Sequence, residues 1–299
     1  DRCHPGAGGA GNRNCQEGLA RGGTETSPPD PRAAIPSGDL PGRALKYRVA
    51  DHSGTETIPI YPRLLPAGDS ALVVELGDAI SLAVNARVHA LDAAIGRAGF
   101  RCVTETIPTY RSILVQFDPL AEDAEGLPER LLALARADHS HDATTARRWR
   151  IPVAYGGEHG IDLEDVARAT GLTPAEVVAL HAGADYAVYM IGFSPGFAYL
   201  GGLPEALYLP RRANPRLKTP AGSVMLGGMQ AAISPTAMPS GWHLLGQTPA
   251  RLFAPARAEP FLLKPGDRVR FEVVSAADYA RLDQAAERAG WLPEQEPVA

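Results

Sequence analysis

Cysteine and surplus positive charge are both scarce in this 299-residue chain, and each scarcity excludes something. Cys3, Cys15 and Cys102 are too few for a disulfide framework. Cys3 and Cys15 fall in a glycine-rich leader, and Cys102 is expected at a domain edge. The eight histidines are scattered, His139 and His141 lie in a polar stretch, and no metal site is expected. A formal net charge of −5 argues against a nucleic-acid footprint or a basic membrane-binding face. No apolar run approaches the roughly 18 residues of a membrane helix. The N-terminus lacks the apolar core of a secretion signal, so the cytoplasm is the expected compartment.

What is present suits a soluble protein of about two domains, with 45% hydrophobic and 21% charged residues. Residues 1–60, rich in Gly, Pro, Arg, Ser and Thr without periodicity, read as a disordered leader. An α+β domain is expected over 61–145. Its strands are Ala71–Leu76, Val103–Ile107 and Ser112–Phe117, and its helices Ala79–Ala98 and Leu127–Ala137. The order βαββα predicts a small ferredoxin-like sandwich. Lone Arg87 and Arg111 are expected to be solvated.

A polar linker over 137–147 precedes a second domain placed at 146–275, with a terminal helix and loose tail over 276–299. Strand Arg150–Tyr155 leads into a helical hairpin whose second helix opens on Thr173, Pro174 and Glu176, a capping signature. The acidic Glu158, Asp162, Glu164, Asp165 and Glu176 exclude a DNA-reading role for that hairpin. Ala187–Gly192 reads as a buried strand, and Phe261–Leu263 and Arg268–Val274 as closing strands around a Lys264–Asp267 turn.

Between them, Ile191 to Pro249 is punctuated by glycine and proline every few residues. That pattern suits short strands and tight turns with a small-molecule site among the loops. Gly192-Phe193-Ser194-Pro195-Gly196 matches the G-x-S-x-G nucleophile elbow, but Pro195 has no N–H to serve as oxyanion donor. Ser194 is therefore expected to bind a ligand or cap the turn. Arg211, Arg212, Arg216 and Lys218 form a cationic segment able to hold carboxylate or phosphate, or simply to be solvated. Gln230 lies where it can face a cleft. His243 can be an acid–base group or a buried structural histidine. Phe193, Phe197, Tyr199 and Trp242 read as core or cleft wall. No P-loop is present, so ATP use does not follow from a motif.

The segments GFSPGFAYLGGLP, PRRANPRLKTPAGSV and PSGWHLLGQTP, with RLLPAGDSALVVELGD and YRSILVQFDPL upstream, resemble the family of the 5-oxoprolinase B component. That family is also known as the Kip-type kinase-inhibitor or allophanate-hydrolase subunit 1 family. The resemblance runs from about Tyr61 to Val274. It implies a cyclophilin-like β-barrel for the second domain, in agreement with the strand reading. It also implies direct assembly with the C component of 5-oxoprolinase, and work alongside the A component. Together such proteins hydrolyse the lactam of 5-oxoproline to glutamate, with ATP (and Mg) as co-substrate of the complex. Within the matching motifs, His243 and Arg211 are the candidate catalytic residues. Phe193, Ser194, Tyr199, Arg212, Lys218, Ser223 and Gln230 are the candidate substrate- or nucleotide-binding residues. The family patterns GGxQTGIYP and PGGW are altered here at Ala231, Ala232, Ser234 and Ser240, which puts substrate identity in question. The same resemblance allows a regulator that inhibits a sensor histidine kinase, or a component of a urea or allophanate pathway.

Overall fold

The computed structural model describes residues 60–137 and 147–296. The leader up to 59, Cys3, Cys15, His139, His141 and the linker interior lie outside the described residues. The first folded part contains β1 (Arg63–Pro66), β2 (Ala71–Glu75), α1 (Leu82–Ala98), β3 (Val103–Pro108), β4 (Ser112–Phe117) and α2 (Leu127–Arg136). The expected βαββα order runs from β2 to α2, and β1 adds an edge strand that lacks a strong local signal. The four strands form one antiparallel sheet in the order β1-β2-β4-β3. α1 starts later than expected because Ser81 caps it, its side chain accepting from the Val84 amide at 3.2 Å. Gly99 ends it in the left-handed conformation. Cys102 is fully buried in this part rather than at an edge. Arg87 and Arg111 are not simply solvated: they donate to the carbonyls of Leu76 and Gly77 at 3.2 and 2.9 Å.

The second part begins with β5 (Arg148–Tyr155), followed by α3 (Leu163–Thr170) and α4 (Pro174–Gly183). Thr173 and Glu176 form the expected reciprocal cap at the start of α4. Then come β6 (Tyr186–Ile191), β7 (Ala198–Gly201), β8 (Arg216–Thr219), β9 (Ser223–Gly227), β10 (Gln230–Ile233), β11 (Met238–Ser240) and β12 (His243–Gln247). The chain finishes with β13 (Arg268–Val273), α5 (Ala276–Ala289) and β14 (Glu294–Glu296). Two expectations need correction. Phe261–Leu263 is not a strand but carries one isolated bridge, Phe253 to Phe261. The tail is not loose: β14 pairs with β5, drawn by Glu294 and Glu296 against Arg150.

Strands β12-β9-β10-β7-β6-β13-β5 pair in sequence, and β12 also pairs with β5, so seven strands close into a barrel. Closure leaves the ring without a free edge. Alternation along the strands sorts the side chains into two layers. Ala198, Leu200, Val224, Leu226, Ala231, Ile233 and Leu245 point inward to the main core. Phe197, Met225, Ala232 and Leu244 point outward and join Met238 and Trp242 in a second cluster. β8 and β11, separated in sequence by the barrel strands β9 and β10, pair outside the ring as their own two-stranded sheet, which supplies Met238 to that outer cluster.

One ionisable group of the core sets a pH limit on the barrel. His181 on α4 is 0% exposed, stacks on Phe271 at 4.8 Å, and its Nδ1 lies 2.8 Å from the Tyr155 hydroxyl. Burial alone pushes its pKa down to about 3. The unfolded chain then takes up the proton first, so stability is full above the unfolded value of about 6.5 and falls as pH drops toward 3. The expected acid slope from this residue is about 1.4 kcal/mol per pH unit. Urea midpoints measured from pH 7.5 to 5 should show a shallower dependence in His181→Gln than in the parent.

Candidate functional site

A cavity of about 270 Å³ opens between the outer face of the barrel and the β8–β11 strand pair. Tyr199 on β7 and Trp242 before β12 form its aromatic floor, with ring centroids 6.1 Å apart. The cationic segment borders it through Arg211 and Arg212, and Ser240 and Gly241 lie opposite Pro215. Gly227 on β9 sits beneath this edge: a Cβ there would meet Trp242 at 3.0 Å and Arg211 at 3.3 Å. Absence of a side chain at Gly227 is what lets the indole and guanidinium settle on the sheet.

Phe193 guards the mouth. It is 75% exposed, holds a positive φ of 70°, and meets Phe197 edge-on at 5.8 Å. An exposed aromatic residue in that region of backbone space is the kind of strained element that collects at binding sites. The loop that carries it is a strand–turn–strand connection, with the Phe197 amide donating to the Ser194 carbonyl at 3.0 Å. No helix follows Ser194, so the geometry of a nucleophile elbow is absent. Ser194 Oγ is buried without a partner among the described residues.

The four cations of the segment separate into different roles. Arg212 Nη1 donates to Asp162 Oδ1 at 2.9 Å, and Arg216 holds both oxygens of the same carboxylate. Asp162 is 1% exposed and also accepts from the Leu244 amide at 2.8 Å. Burial pushes its carboxyl up, but the hydrogen bonds from Arg216 and Leu244 and the two arginine charges outweigh this and hold it below the usual range. Lys218 is exposed on β8 and is not among the lining residues, although β8 pairs with the lining strand β11. Arg211 lies 5.1 Å over the Trp242 ring as a cation–π pair and faces the cavity. Its charge acts on the hydroxyls of both Tyr110 and Tyr199.

The remaining expected site residues are placed as follows. His243 Nε2 lies 3.0 Å from the Pro210 carbonyl, which pins the start of the cationic segment, and Nδ1 is buried without a partner among the described residues. A carbonyl only accepts, so this contact puts the imidazole proton on Nε2. His243 is not among the residues lining the cavity. Ser223 Oγ and Ser234 Oγ both donate to the Pro220 carbonyl, at 2.8 and 3.2 Å. Gln230 shares the outer face with Ala232 and is 8% exposed. Of the altered positions, Ala231 and Ser234 are buried away from the cavity, and Ala232 belongs to the outer cluster. Ser240 lines the cavity and accepts from the Trp242 amide at 3.1 Å, so its hydroxyl fixes the indole-bearing backbone. Sequence reasoning missed two contributors, Asp162 and Tyr110, because their partners lie about 50 and 120 residues away along the chain.

Comparison with known proteins agrees with this architecture. Residues 62–263 match the family described as carboxyltransferase domain, subdomain C and D. The chain is 40% identical to the 5-oxoprolinase B component of Bacillus subtilis, over 71% of this chain and 92% of that protein. It is 44% identical to the 5-oxoprolinase B component of Escherichia coli O157:H7, over 68% of this chain and 92% of that protein. Among solved structures, urea carboxylase of Kluyveromyces lactis superposes with a TM-score of 0.62 at 20% identity. That match covers 78% of this chain and 23% of that chain, and it speaks to the fold alone. With a matching family domain over most of the folded residues and close relatives spanned almost end to end, the chain belongs to the 5-oxoprolinase B-component family.

Proposed function

We propose that this chain is the B component of an ATP-dependent 5-oxoprolinase, a non-autonomous subunit that works with the C and A components in the cytoplasm. The names of its relatives support the reading, and one observation in the chain carries it to a site. Arg211 is the arginine of the cationic segment that faces the cavity without being committed to Asp162. A guanidinium beside an aromatic floor is suited to a small cyclic acid, the carboxylate on the cation and the ring on Tyr199 and Trp242.

In this reading the domain over 61–145, taken as ferredoxin-like on its βαββα order, supports a cyclophilin-like barrel domain over 146–275. Arg211 binds the substrate carboxylate and stabilises charge that develops during phosphorylation of the lactam oxygen. Phe193 and Tyr199 close on the ring, Ser194 Oγ and Gln230 meet its polar atoms, and Lys218 faces a neighbouring component or the nucleotide. His243, Arg212 and Ser223 hold the walls in place. Mg-ATP is the co-substrate of the assembly.

The test is omission. The purified C and A components should release ADP and glutamate from 5-oxoproline only when this chain is added. A stable assembly without such release would overturn the substrate, and failure to assemble would overturn the role as a component of the complex.

A further inference from the structure

The N-terminal sheet reaches the barrel through a single turn, whose Tyr110 stands behind the cavity wall, against Tyr199 and Gln230, rather than among the lining residues. Asn85 on α1 donates from Nδ2 to the carbonyls of Thr109, Tyr110 and Tyr189, at 3.1, 3.3 and 3.1 Å. Its Oδ1 lies 2.9 Å from His89 Nε2, so the side-chain amide is fully used. One buried amide therefore ties the β3–β4 turn to β6 of the barrel. Held this way, the Tyr110 ring stands edge-on to Tyr189 and Tyr199, with centroids 6.1 and 5.7 Å away. Gly201 makes the seat possible, since a Cβ there would come within 1.9 Å of the Tyr189 ring.

At the end of this arm the Tyr110 hydroxyl donates to Gln230 Oε1 at 3.2 Å. Burial pushes the hydroxyl pKa far above its ordinary value, so it stays a donor across the neutral range. Gln230 Oε1 is thereby occupied, while Gln230 Nε2 is buried with no partner among the described residues. An amide N–H2 left unpaired in a buried place is costly and uncommon unless something else fills it. Gln230 pairs across the sheet with Gly227, the residue over which Trp242 and Arg211 lie. The unpaired donor, the Arg211 guanidinium and the Tyr199 ring thus share one face of the barrel.

We propose that Tyr110 is a positioning residue: its hydroxyl fixes the Gln230 amide so that Nε2 donates to the ring carbonyl oxygen of the lactam, while Arg211 takes the carboxylate. The inference rests on the functional reading above and adds a residue from the N-terminal domain to the site. Recognition then divides by chemistry. Gln230 and Tyr110 read the carbonyl, and Arg211 reads the acid, so a ring acid without the carbonyl is indifferent to the first pair.

Tyr110→Phe keeps the ring contacts and removes the hydroxyl, and Gln230→Glu keeps the acceptor for Tyr110 and removes the donor. In the assembled complex, Tyr110→Phe should raise KM for 5-oxoproline about fivefold with kcat within about twofold, and Gln230→Glu should raise it more than about tenfold. The inhibition constant of L-proline, which has the carboxylate but no ring carbonyl, should be unchanged in Tyr110→Phe. An unchanged KM in Tyr110→Phe, or a parallel shift for proline, would overturn the proposal. Side-chain amide NMR signals of Gln230 in the free full chain judge the pairing without substrate. They should be one sharp pair in the parent and averaged or broadened in Tyr110→Phe, and identical spectra would overturn it. Absence of 5-oxoproline turnover in the parent complex would instead count against the functional reading.

Discussion

Asp162→Ala should destabilise the chain by about 3 kcal/mol and lower Tm by roughly 6–12 °C. The carboxylate is 1% exposed and receives Arg212, Arg216 and the Leu244 amide together. Its removal strands two guanidinium groups and one backbone donor. The figure sits at the lower end for a broken buried pair because the arginine side chains keep 25% and 22% exposure, which lets water take part of the charge. The same residue contributes to acid sensitivity. Its pKa is depressed in the folded state, so its stabilisation is present above the ordinary carboxylate value near 3.9 and is lost as pH falls through the folded value. Thermal unfolding of Asp162→Ala should therefore show a lower Tm at neutral pH and a weaker loss below pH 4. A Tm within a degree of the parent would show that the cationic segment is not anchored there.

Arg211→Ala should do the opposite, leaving the fold nearly intact and disabling the site. Its guanidinium contacts the Trp242 ring, and among the described residues no carboxylate anchors it as Asp162 anchors its neighbours, so the stability cost is that of one cation–π pair, about 0.5–1 kcal/mol. Loss of a charge-assisted bond to a substrate carboxylate corresponds to about a 10- to 100-fold rise in KM in the assembled enzyme. A further fall in kcat would place the guanidinium on the charge that develops in the transition state rather than only on the bound acid. Steady-state kinetics of the complex, beside a melting curve, separates these cases. The pair of variants thus separates the anchored Arg212 and Arg216 from the ligand-facing Arg211.

How far the sequence disclosed this arrangement depended on the range of the interaction involved. Local signals were legible. Glycine and proline punctuation marked the short strands of the barrel, and Thr173 with Glu176 marked the start of α4. The cavity's wall could be read in part, because Phe193, Tyr199, Arg211 and Trp242 fall in one punctuated stretch. Long-range partners were not legible. Four cations within 211–218 look alike in sequence, and only Asp162, on the far side of the helical hairpin, tells Arg212 and Arg216 from Arg211. Tyr110 lies in an unremarkable turn, and its role exists only because Asn85 carries that turn to the barrel. β14 escaped notice for a related reason: Glu294-Gln295-Glu296 has no strand propensity of its own and pairs through the opposite charge of Arg150.

The most direct measurement is a crystal structure of the assembled complex with 5-oxoproline bound. The account predicts the ligand on the outer face of the barrel, its carboxylate on Arg211, its ring against Tyr199 and Trp242, and its ring carbonyl within hydrogen-bond distance of Gln230 Nε2. A ligand bound elsewhere in the complex, with this cavity empty, would contradict it.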